Sequence, residues 1–393
     1  MSAPAGAQID TGVALRDHAD SLRDWLAAHA DELAPFRARP EGGMAGAVEH
    51  DRGLLRLLFD AGWSRFGWPV RDGGLGGPAT LRALLYDGLA AAEVEIPEAF
   101  VILETLGPVL VEYAPHLAGR HLPAYLGGAE LWGQGFSEPG AGSDLAALRT
   151  TALRRGDDLL VDGQKTWTTL GQFASWAAVL ARTGAPDSAH RGLSLIWVDT
   201  AQPGVTLRPI TAATGRDEFA EMFFDGARAP LENVIGGIDG GWGVAMYLLQ
   251  WERGMYAWLR QAVLHRGLRA TAAAAGDPTP VQVQALGRAQ LAVTALRARS
   301  WGTVVALAEG RNPGPDISVD KILLSRAEQV VLDAARAVRW PAMALSDAID
   351  DRTLREEWFF SRATSIFGGA VEVQRDIVAD RVLGLAREDR HGR

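Results

Sequence analysis

The chain has 393 residues, enough for two or three domains and a large core, and it contains no cysteine. The absence of cysteine excludes disulfides, thiolate metal sites and a cysteine nucleophile. The formal net charge of −9 argues against a protein that binds nucleic acid, although a few local groups can still hold an anionic ligand.

The first ten residues, Met1 to Asp10, are rich in Ala and Gly and lack the basic start and long apolar run of a signal peptide. No apolar run in the sequence approaches the roughly 20 residues needed to span a bilayer. We therefore expect no membrane insertion and a cytoplasmic location. The eight His residues show no metal-ligand spacing, and we expect no metal site.

Residues 1–130 have apolar residues at helical spacing and predict an N-terminal α-helical domain. A first helix covers residues 13–33 and ends before Pro35, because proline cannot continue the hydrogen-bond ladder. The further helices are expected at residues 51–61, 80–93, 97–113 and 115–126.

Residues 131–239 consist of short apolar segments separated by Gly, Pro, Asp or Ser, which predicts a central β-barrel or sandwich domain. Strands are expected at residues 131–136, 158–167, 176–182, 193–198, 205–210 and 218–224.

Residues 240–393 return to helical spacing and predict a C-terminal helical bundle. Helices are expected at residues 242–264, 281–307, 318–338, 350–366 and 371–383, with a separate Ala-rich stretch at 270–276. The order of helices, strands and helices indicates an α+β protein.

The segment Phe136 to Asp144, F-S-E-P-G-A-G-S-D, joins a predicted strand to a glycine-rich turn. Glycine allows a ligand to approach the backbone closely. Ser137 and Ser143 add hydroxyls beside free backbone N–H groups, a combination that suits a phosphate or the edge of a flavin ring. A glycine-rich turn alone is weak evidence, but the order of these residues resembles the corresponding turn of the acyl-CoA dehydrogenase family.

Four more segments resemble that family in the family's own order. They are the loop at residues 66–77 (F-G-W-P-V-R-D-G-G-L-G-G), the strand at 161–169 (V-D-G-Q-K-T-W-T-T), the strand at 219–233, and the segment at 366–385 with G-G-A-V-E-V-Q-R. The chain is identified as a member of the family and resembles its actinobacterial steroid-degradation type. The resemblance implies an N-terminal α-helical domain, a central β-barrel domain and a C-terminal four-helix bundle.

The resemblance implies FAD-dependent dehydrogenation of an acyl-CoA thioester, in which a base takes a proton from Cα and a hydride passes from Cβ to flavin N5. A carboxylate in a dry pocket suits the base, because desolvation raises the pKa of a carboxyl group towards the working pH. The developing enolate needs hydrogen-bond donors at the thioester oxygen.

The base occupies one of two positions in the family. Many members carry it as the Glu of a C-terminal Tyr-Glu-Gly-Thr, which is matched here by F-G-G-A with Gly368 in place of Glu. Others carry it as Glu-Arg on the first helix after the β-domain, matched here by Glu252 and Arg253 in an apolar setting. A helical Glu is usually solvated or ion-paired, but the resemblance makes Glu252 the expected base. Other carboxylates are expected to be structural or on the surface: Glu372, Glu356 and Glu357.

The remaining site residues follow from the resemblance alone. Cofactor contacts are expected from Phe136 and Ser137 at the flavin pyrimidine, Gly142 in the turn, Ser143 at the diphosphate or the CoA, Trp167 against the isoalloxazine, and Thr169 near N5 or O4. Core packing is the alternative role for Trp167.

Substrate contacts are expected around the C-terminal glycine pair. The Gly368 N–H would join a flavin ribityl hydroxyl in holding the thioester oxygen, and Gly369 would border the substrate. Arg253 would either hold the substrate end of the pocket or pair with an Asp, and both roles stay open.

The sequence departs from homotetrameric members at two segments that bind the FAD of a neighbouring subunit. An Ala-rich stretch running into Gly276 replaces Arg-x-x-Phe-Gly, and A-V-R-W-P at residues 337–341 replaces Gln-x-x-Gly-Gly. Steroid-degradation-type members resemble this pattern and assemble from two unlike chains. We therefore expect a homo- or heterotetramer, with the missing FAD contacts supplied by a partner chain, and an electron-transfer flavoprotein as electron acceptor.

Three functions remain open. The first is an acyl-CoA dehydrogenase acting on a bulky or branched acyl group, carried on CoA or on an acyl carrier protein. The second is a flavin monooxygenase on the same fold, which Glu252 opposes because that chemistry needs no such base. The third is a non-catalytic or half-site subunit of a heteromeric enzyme, which intact Trp167, Thr169 and Glu252 oppose.

Overall fold

The computed structural model describes residues 11–40 and 42–386, so the first ten residues lie outside the described part. The N-terminal part of the described chain is helical. Its α-helices are α1 Thr11–Ala28, α2 Ala30–Leu33, α3 Gly43–Asp60, α4 Thr80–Ala91, α5 Ala99–Tyr113 and α6 Pro115–Leu126. Helix α3 begins eight residues before the predicted start, because Met44 and Val48 lie on the buried face that continues to Leu55.

The central part of the chain forms one eight-stranded sheet. Its strands are β1 Trp132–Gly135, β2 Thr151–Arg155, β3 Asp158–Thr169, β4 Trp176–Arg182, β5 Leu193–Asp199, β6 Val205–Ile210, β7 Phe219–Pro230 and β8 Val234–Ile235. The strand order is β6-β7-β3-β2-β4-β5-β8, and β1 pairs with β4 in parallel. Strands β2 and β8 were not predicted, because both are short and β2 is largely exposed.

Strands β4 and β5 are buried on both faces. In β4, Ala177 and Val179 belong to the core inside the β-domain, while Ala178 and Leu180 between them pack into the core shared with the helices. Since successive side chains of a strand point to opposite faces, such a strand reads as a continuous apolar run. This sheet therefore lies directly against the helical part of the molecule.

The C-terminal part of the described chain is again helical. Its α-helices are α7 Gly241–Ala274, α8 Pro280–Ala308, α9 Ile317–Arg339, α10 Ala342–Leu345, α11 Ile349–Ala363 and α12 Val371–Ile377. The Ala-rich stretch predicted as separate is the last part of α7, which runs without interruption for 34 residues. Helix α12 ends six residues earlier than predicted and passes into a π-helical turn at Val378–Val382. Within the described residues, no helix is long and apolar enough to cross a membrane.

Helix α7 is the element that joins the two helical parts. It packs against α4 and α5 on one side and against α8 and α9 on the other. The Trp258 indole N–H donates to the Ala83 carbonyl of α4 at 2.9 Å, and Arg260 forms a buried ion pair with Glu328 of α9. The predicted α+β architecture is confirmed, and the domain limits at residues 130 and 239 stay a prediction.

Candidate active site

Glu252 lies on the fourth turn of α7, where that helix meets β1 and the loop before α12. Its side chain is half-buried, and Gln134 Nε2 of β1 donates to Glu252 Oε2 at 3.2 Å. The other carboxylate oxygen, Oε1, lies 3.0 Å from the point that a Cβ on Gly368 would occupy. The structure therefore brings together the two family positions, 252 and 368, which lie 116 residues apart in the sequence.

The loop between α11 and α12 has a glycine backbone that a side chain would disturb. Gly368 has φ +63° and Gly369 has φ +104°, conformations that favour glycine. A Cβ on Gly369 would lie 2.5 Å from Gln374 Nε2, too close for any side chain without rearrangement. A side chain at either position would therefore have to displace the end of the Glu252 or the Gln374 side chain.

Arg253 holds this loop from α7. Its Nε donates to the Gly368 carbonyl at 3.2 Å, so its partner in the structure is a backbone oxygen rather than an Asp. Burial lowers the pKa of Arg253, and the neighbouring Glu252 opposes that effect. Across the described residues, the Gly368 N–H makes no hydrogen bond and remains available as a donor beside Glu252.

Lys321 of α9 also reaches this point, although the sequence did not single it out. Its side chain is 2% exposed, and its Nζ donates to the Thr364 carbonyl at 2.6 Å. Nζ lies 3.8 Å from the Cβ position of Gly368 and 4.5 Å from the centre of the Phe367 ring. Burial lowers the pKa of Lys321 to about 8, and the negative charge of Glu252 opposes that effect.

The glycine-rich turn after β1 is fixed by a buried ion pair. Lys165 Nζ of β3 lies 2.8 Å from Glu138 Oε1 and 3.1 Å from the Phe136 carbonyl. The Glu138 carboxylate also accepts the backbone N–H groups of Arg149 and Thr150. Burial lowers the pKa of Lys165 to about 8, and Glu138 opposes that effect. Glu138 therefore has a structural role, because its ion pair and hydrogen bonds hold the turn against β3.

The two ends of this turn differ in exposure. Phe136 is buried and Ser137 is half-buried, and the Ser137 carbonyl accepts the Thr166 N–H at 2.9 Å. Gly142 and Ser143 are exposed, and a Cβ on Gly142 would meet no atom within 4 Å. No atom of the described residues fills the space at Gly142, so the glycine leaves room for a ligand to approach the backbone.

Trp167 is exposed although it lies within β3. The pairing of β3 with β7 shifts register between Lys165 and Thr168, and Trp167 has φ +61° at this irregularity. Its indole is 58% exposed and contacts Phe219 edge-on at 5.8 Å between ring centres. A strained backbone that presents a large ring to solvent is typical of a ligand-binding position. Core packing, the alternative role, does not describe this side chain.

Gln134 links the aromatic side of the site to the carboxylate side. Its carbonyl accepts the Thr168 hydroxyl at 3.4 Å, one residue from both Trp167 and Thr169, while its amide binds Glu252. Strand β1 is thus a shared wall between the exposed indole and the carboxylate. The sequence interpretation missed Gln134, although a polar residue between glycines in an otherwise buried strand was a visible signal.

The structure contradicts the expectation that Glu357 is a surface charge. The sequence predicted a surface charge, but Glu357 lies 2.9 Å from Arg39 Nη2 and 3.1 Å from Arg260 Nη2. Burial alone would raise the pKa of Glu357, but the two guanidinium groups outweigh burial and lower the pKa to about 2. The prediction was wrong because both arginines come from distant parts of the sequence.

Two family models match the chain. The model for the acyl-CoA dehydrogenase middle domain matches residues 133–227, and the model for the acyl-CoA dehydrogenase C-terminal domain matches residues 239–383.

Similar proteins are found among curated sequences and solved structures. Acyl-CoA dehydrogenase IpdE1 of Mycobacterium tuberculosis is 38% identical over 378 residues, covering 93% of this chain and 97% of that protein. The Tcur3481-Tcur3483 steroid ACAD superposes with a TM-score of 0.82 at 28% identity, covering 96% of this chain and 98% of that one. The ChsE4-ChsE5 complex from Mycobacterium tuberculosis superposes with a TM-score of 0.76 at 25% identity, covering 99% and 100%.

Proposed function

Because this chain belongs to the acyl-CoA dehydrogenase family, we propose that Glu252 is the base of an FAD-dependent dehydrogenation of an acyl-CoA thioester. The observation that carries the proposal is the position of the Glu252 carboxylate, which faces Gly368 and is held by Gln134. A base on α7 and a glycine at the alternative position are mutually compatible, because a side chain on Gly368 would lie against Glu252 Oε1.

The residues around the turn fit FAD, and the fit rests on exposed Trp167 and on the open space at Gly142. We assign the cofactor to Phe136, Ser137, Gly142, Ser143, Trp167 and Thr169. An indole face binds a planar ring through stacking, and exposed hydroxyl and backbone N–H groups suit a diphosphate. When bound, FAD supplies the acceptor for the hydride that leaves Cβ of the substrate.

The protein's own groups perform the proton transfer. Glu252 takes the proton from Cα of the thioester while Gln134 fixes one carboxylate oxygen and leaves the other directed at the Gly368 side. The unpaired Gly368 N–H donates to the thioester oxygen as negative charge develops there. Arg253 holds the Gly368 carbonyl and so orients that peptide, while Gly369 borders the substrate.

The acyl group that we propose is bulky or branched. This rests on the glycine pair at residues 368 and 369, which leaves these two positions of the loop without side chains, and on similarity to a structure described as a steroid ACAD. The thioester carrier is CoA or an acyl carrier protein, and an electron-transfer flavoprotein is the proposed electron acceptor.

A second candidate, a half-site subunit of a heteromeric enzyme, is favoured by a specific observation. Large apolar side chains are exposed in the C-terminal part of the described chain: Trp340 at 62%, Leu345 at 80%, Ile366 at 71% and Leu383 at 64%. We propose that these four side chains face another chain, because an interface would remove them from water. One solved neighbour is a complex named for two components, ChsE4 and ChsE5.

The substitution Glu252→Gln tests the first proposal. General-base catalysis contributes on the order of 10²–10⁴-fold, so we expect turnover of acyl-CoA thioesters to fall by at least about 10²-fold. Glu49→Gln, the same change at an exposed residue of α3, serves as the matched control and should retain full activity. Equal activity of the Glu252→Gln variant and the wild type would exclude Glu252 as the base.

The visible absorption spectrum of the protein purified alone separates the two candidates. A flavin band at stoichiometric occupancy that bleaches with an acyl-CoA thioester supports a self-sufficient dehydrogenase. A colourless protein that gains the band only with a partner chain supports the half-site subunit.

A further inference from the structure

Lysine is almost absent from this protein. Of 39 basic residues only two are lysines, Lys165 and Lys321, and the other 37 are arginines. Both lysines are buried, at 0% and 2% exposure, and each faces a glutamate of the site region, Glu138 or Glu252. A buried ammonium is a compact charge whose protonation responds to its surroundings, whereas a guanidinium stays charged. The two lysines are therefore the buried basic side chains whose charge can respond to the glutamate beside them.

Two acidic side chains of the described chain act on Lys321, Glu252 and Glu328, and of these Glu252 forms no ion pair. Glu328, on the same helix α9, is held by the Arg260 guanidinium at 2.6 and 3.0 Å. Arg253 acts on Lys321 as a like charge, and Tyr256 stays neutral because burial raises the pKa of its phenol well above the usual value. The loop at residues 364–370 contributes no titratable side chain.

Lys321 and Glu252 both lie close to the same glycine, Gly368. The Cβ position of Gly368 lies 3.0 Å from Glu252 Oε1 and 3.8 Å from Lys321 Nζ. The Lys321 ammonium also donates to the Thr364 carbonyl at 2.6 Å, in the same loop that presents Gly368. One side chain thus touches the loop that carries the oxygen-binding N–H and faces the carboxylate that takes the proton.

We propose that Lys321 is a positioning residue for the reaction, whose ammonium keeps Glu252 ionised between turnovers and anchors the loop of Gly368 through Thr364. This inference rests on the proposed role of Glu252 as the base. A carboxylate can accept the proton from the substrate only in its ionised form. A cation beside a carboxylate favours that form.

The electrostatic part of the proposal can be measured without turnover. With only two lysines in the chain, protein labelled with [ε-¹³C]lysine gives two signals, and Lys321→Arg identifies the signal of Lys321. Removing the Glu252 charge by Glu252→Gln should lower the pKa of Lys321 by about one unit or more, because an opposite charge nearby shifts a pKa by roughly 1–3 units. Lys165, beside Glu138, is the internal control and should titrate unchanged.

This titration also separates the two proposals. A Lys321 pKa that moves in Glu252→Gln supports the coupling even if the variant shows that Glu252 is not the base. A Lys321 pKa that moves no more than that of Lys165 overturns the inference, whatever the kinetics show.

The kinetic part of the proposal is tested with variants that separate the charge of Lys321 from its hydrogen bond to the Thr364 carbonyl. Lys321→Gln keeps a donor for the Thr364 carbonyl but loses the charge, and Lys321→Met loses both. In both variants the acidic limb of the kcat/KM profile should move to higher pH by about one unit, because loss of the cation favours the protonated carboxyl group. Lys321→Arg retains the charge and should restore the limb. If Lys321→Gln keeps the wild-type limb, Lys321 has only a structural role and the proposal is wrong.

Discussion

The substitution Gly368→Ala tests the geometry of the site with one methyl group. Gly368 has φ +63°, and an added Cβ would lie 3.0 Å from Glu252 Oε1, closer than nearly all real Cβ contacts. An alanine in the left-handed region costs about 1–2 kcal/mol. The contact adds a second cost, because either the loop or the carboxylate has to move by a few tenths of an ångström.

A matched control isolates that second cost. Gly310, which follows α8, has φ +70° and is exposed, and a Cβ there would meet no atom within 4 Å. Gly310→Ala therefore carries the backbone cost alone. We expect it to lower the melting temperature by on the order of 2–4 °C per kcal/mol and to leave turnover unchanged.

Gly368→Ala should lower the melting temperature at least as much as Gly310→Ala does and should also reduce kcat. The displaced group is Glu252 or the Gly368 N–H. A displacement of about 1 Å in a catalytic group costs on the order of 10²-fold, so a shift of a few tenths of an ångström should reduce kcat by less than that. Differential scanning calorimetry and steady-state kinetics on both variants measure the two effects. The reasoning is refuted if Gly368→Ala matches Gly310→Ala in both stability and turnover.

Three further outcomes follow from the site. Trp167→Ala removes an exposed ring, so the free energy of unfolding should change by less than about 0.5 kcal/mol. The dissociation constant for FAD, measured by fluorescence titration of the apoprotein, should rise about tenfold because the stacking contact is lost. An unchanged dissociation constant contradicts the flavin contact. Gln134→Leu removes a hydrogen bond to a charged group and should lower kcat roughly tenfold without lowering the melting temperature, and a wild-type kcat would show that Gln134 does not position Glu252. The folded pKa of Lys321, about 8, lies below the unfolded value of 10.5, so the unfolded chain binds more protons between these pH values. The free energy of unfolding of the wild type should therefore rise relative to Lys321→Met as the pH increases from 8 to 10, as measured by urea titrations, and a constant difference would show that Lys321 is not perturbed.

The fold could be predicted because its elements have local patterns. The continuous apolar run of β4 and the long, mostly apolar stretch that forms α7 are both visible in short windows of sequence. The predicted limits of the elements were less accurate. Helix α3 begins at Gly43, because Met44 packs into a core that forms only in the folded protein. The weak β2 was missed for the same reason, because its place is set by pairing with β3.

The site was predictable only where a motif carried it. Glu252 and Gly368 could be paired because a family resemblance relates their positions, although they lie 116 residues apart in the chain. Lys321 had no motif in our interpretation, and its role depends on contacts with two distant segments. Glu357 was misassigned because nothing near it in sequence shows that Arg39 and Arg260 converge on it.

The burial of both lysines has a practical consequence for chemical work on this protein. Amine-reactive reagents need a deprotonated and accessible amine, and neither Lys165 nor Lys321 is accessible in the folded state. Acylating dyes, lysine cross-linkers and lysine acetylation should therefore leave the native side chains unmodified. Modification at either position then requires local opening, so its rate measures how often the turn at Glu138 or the loop at Gly368 opens.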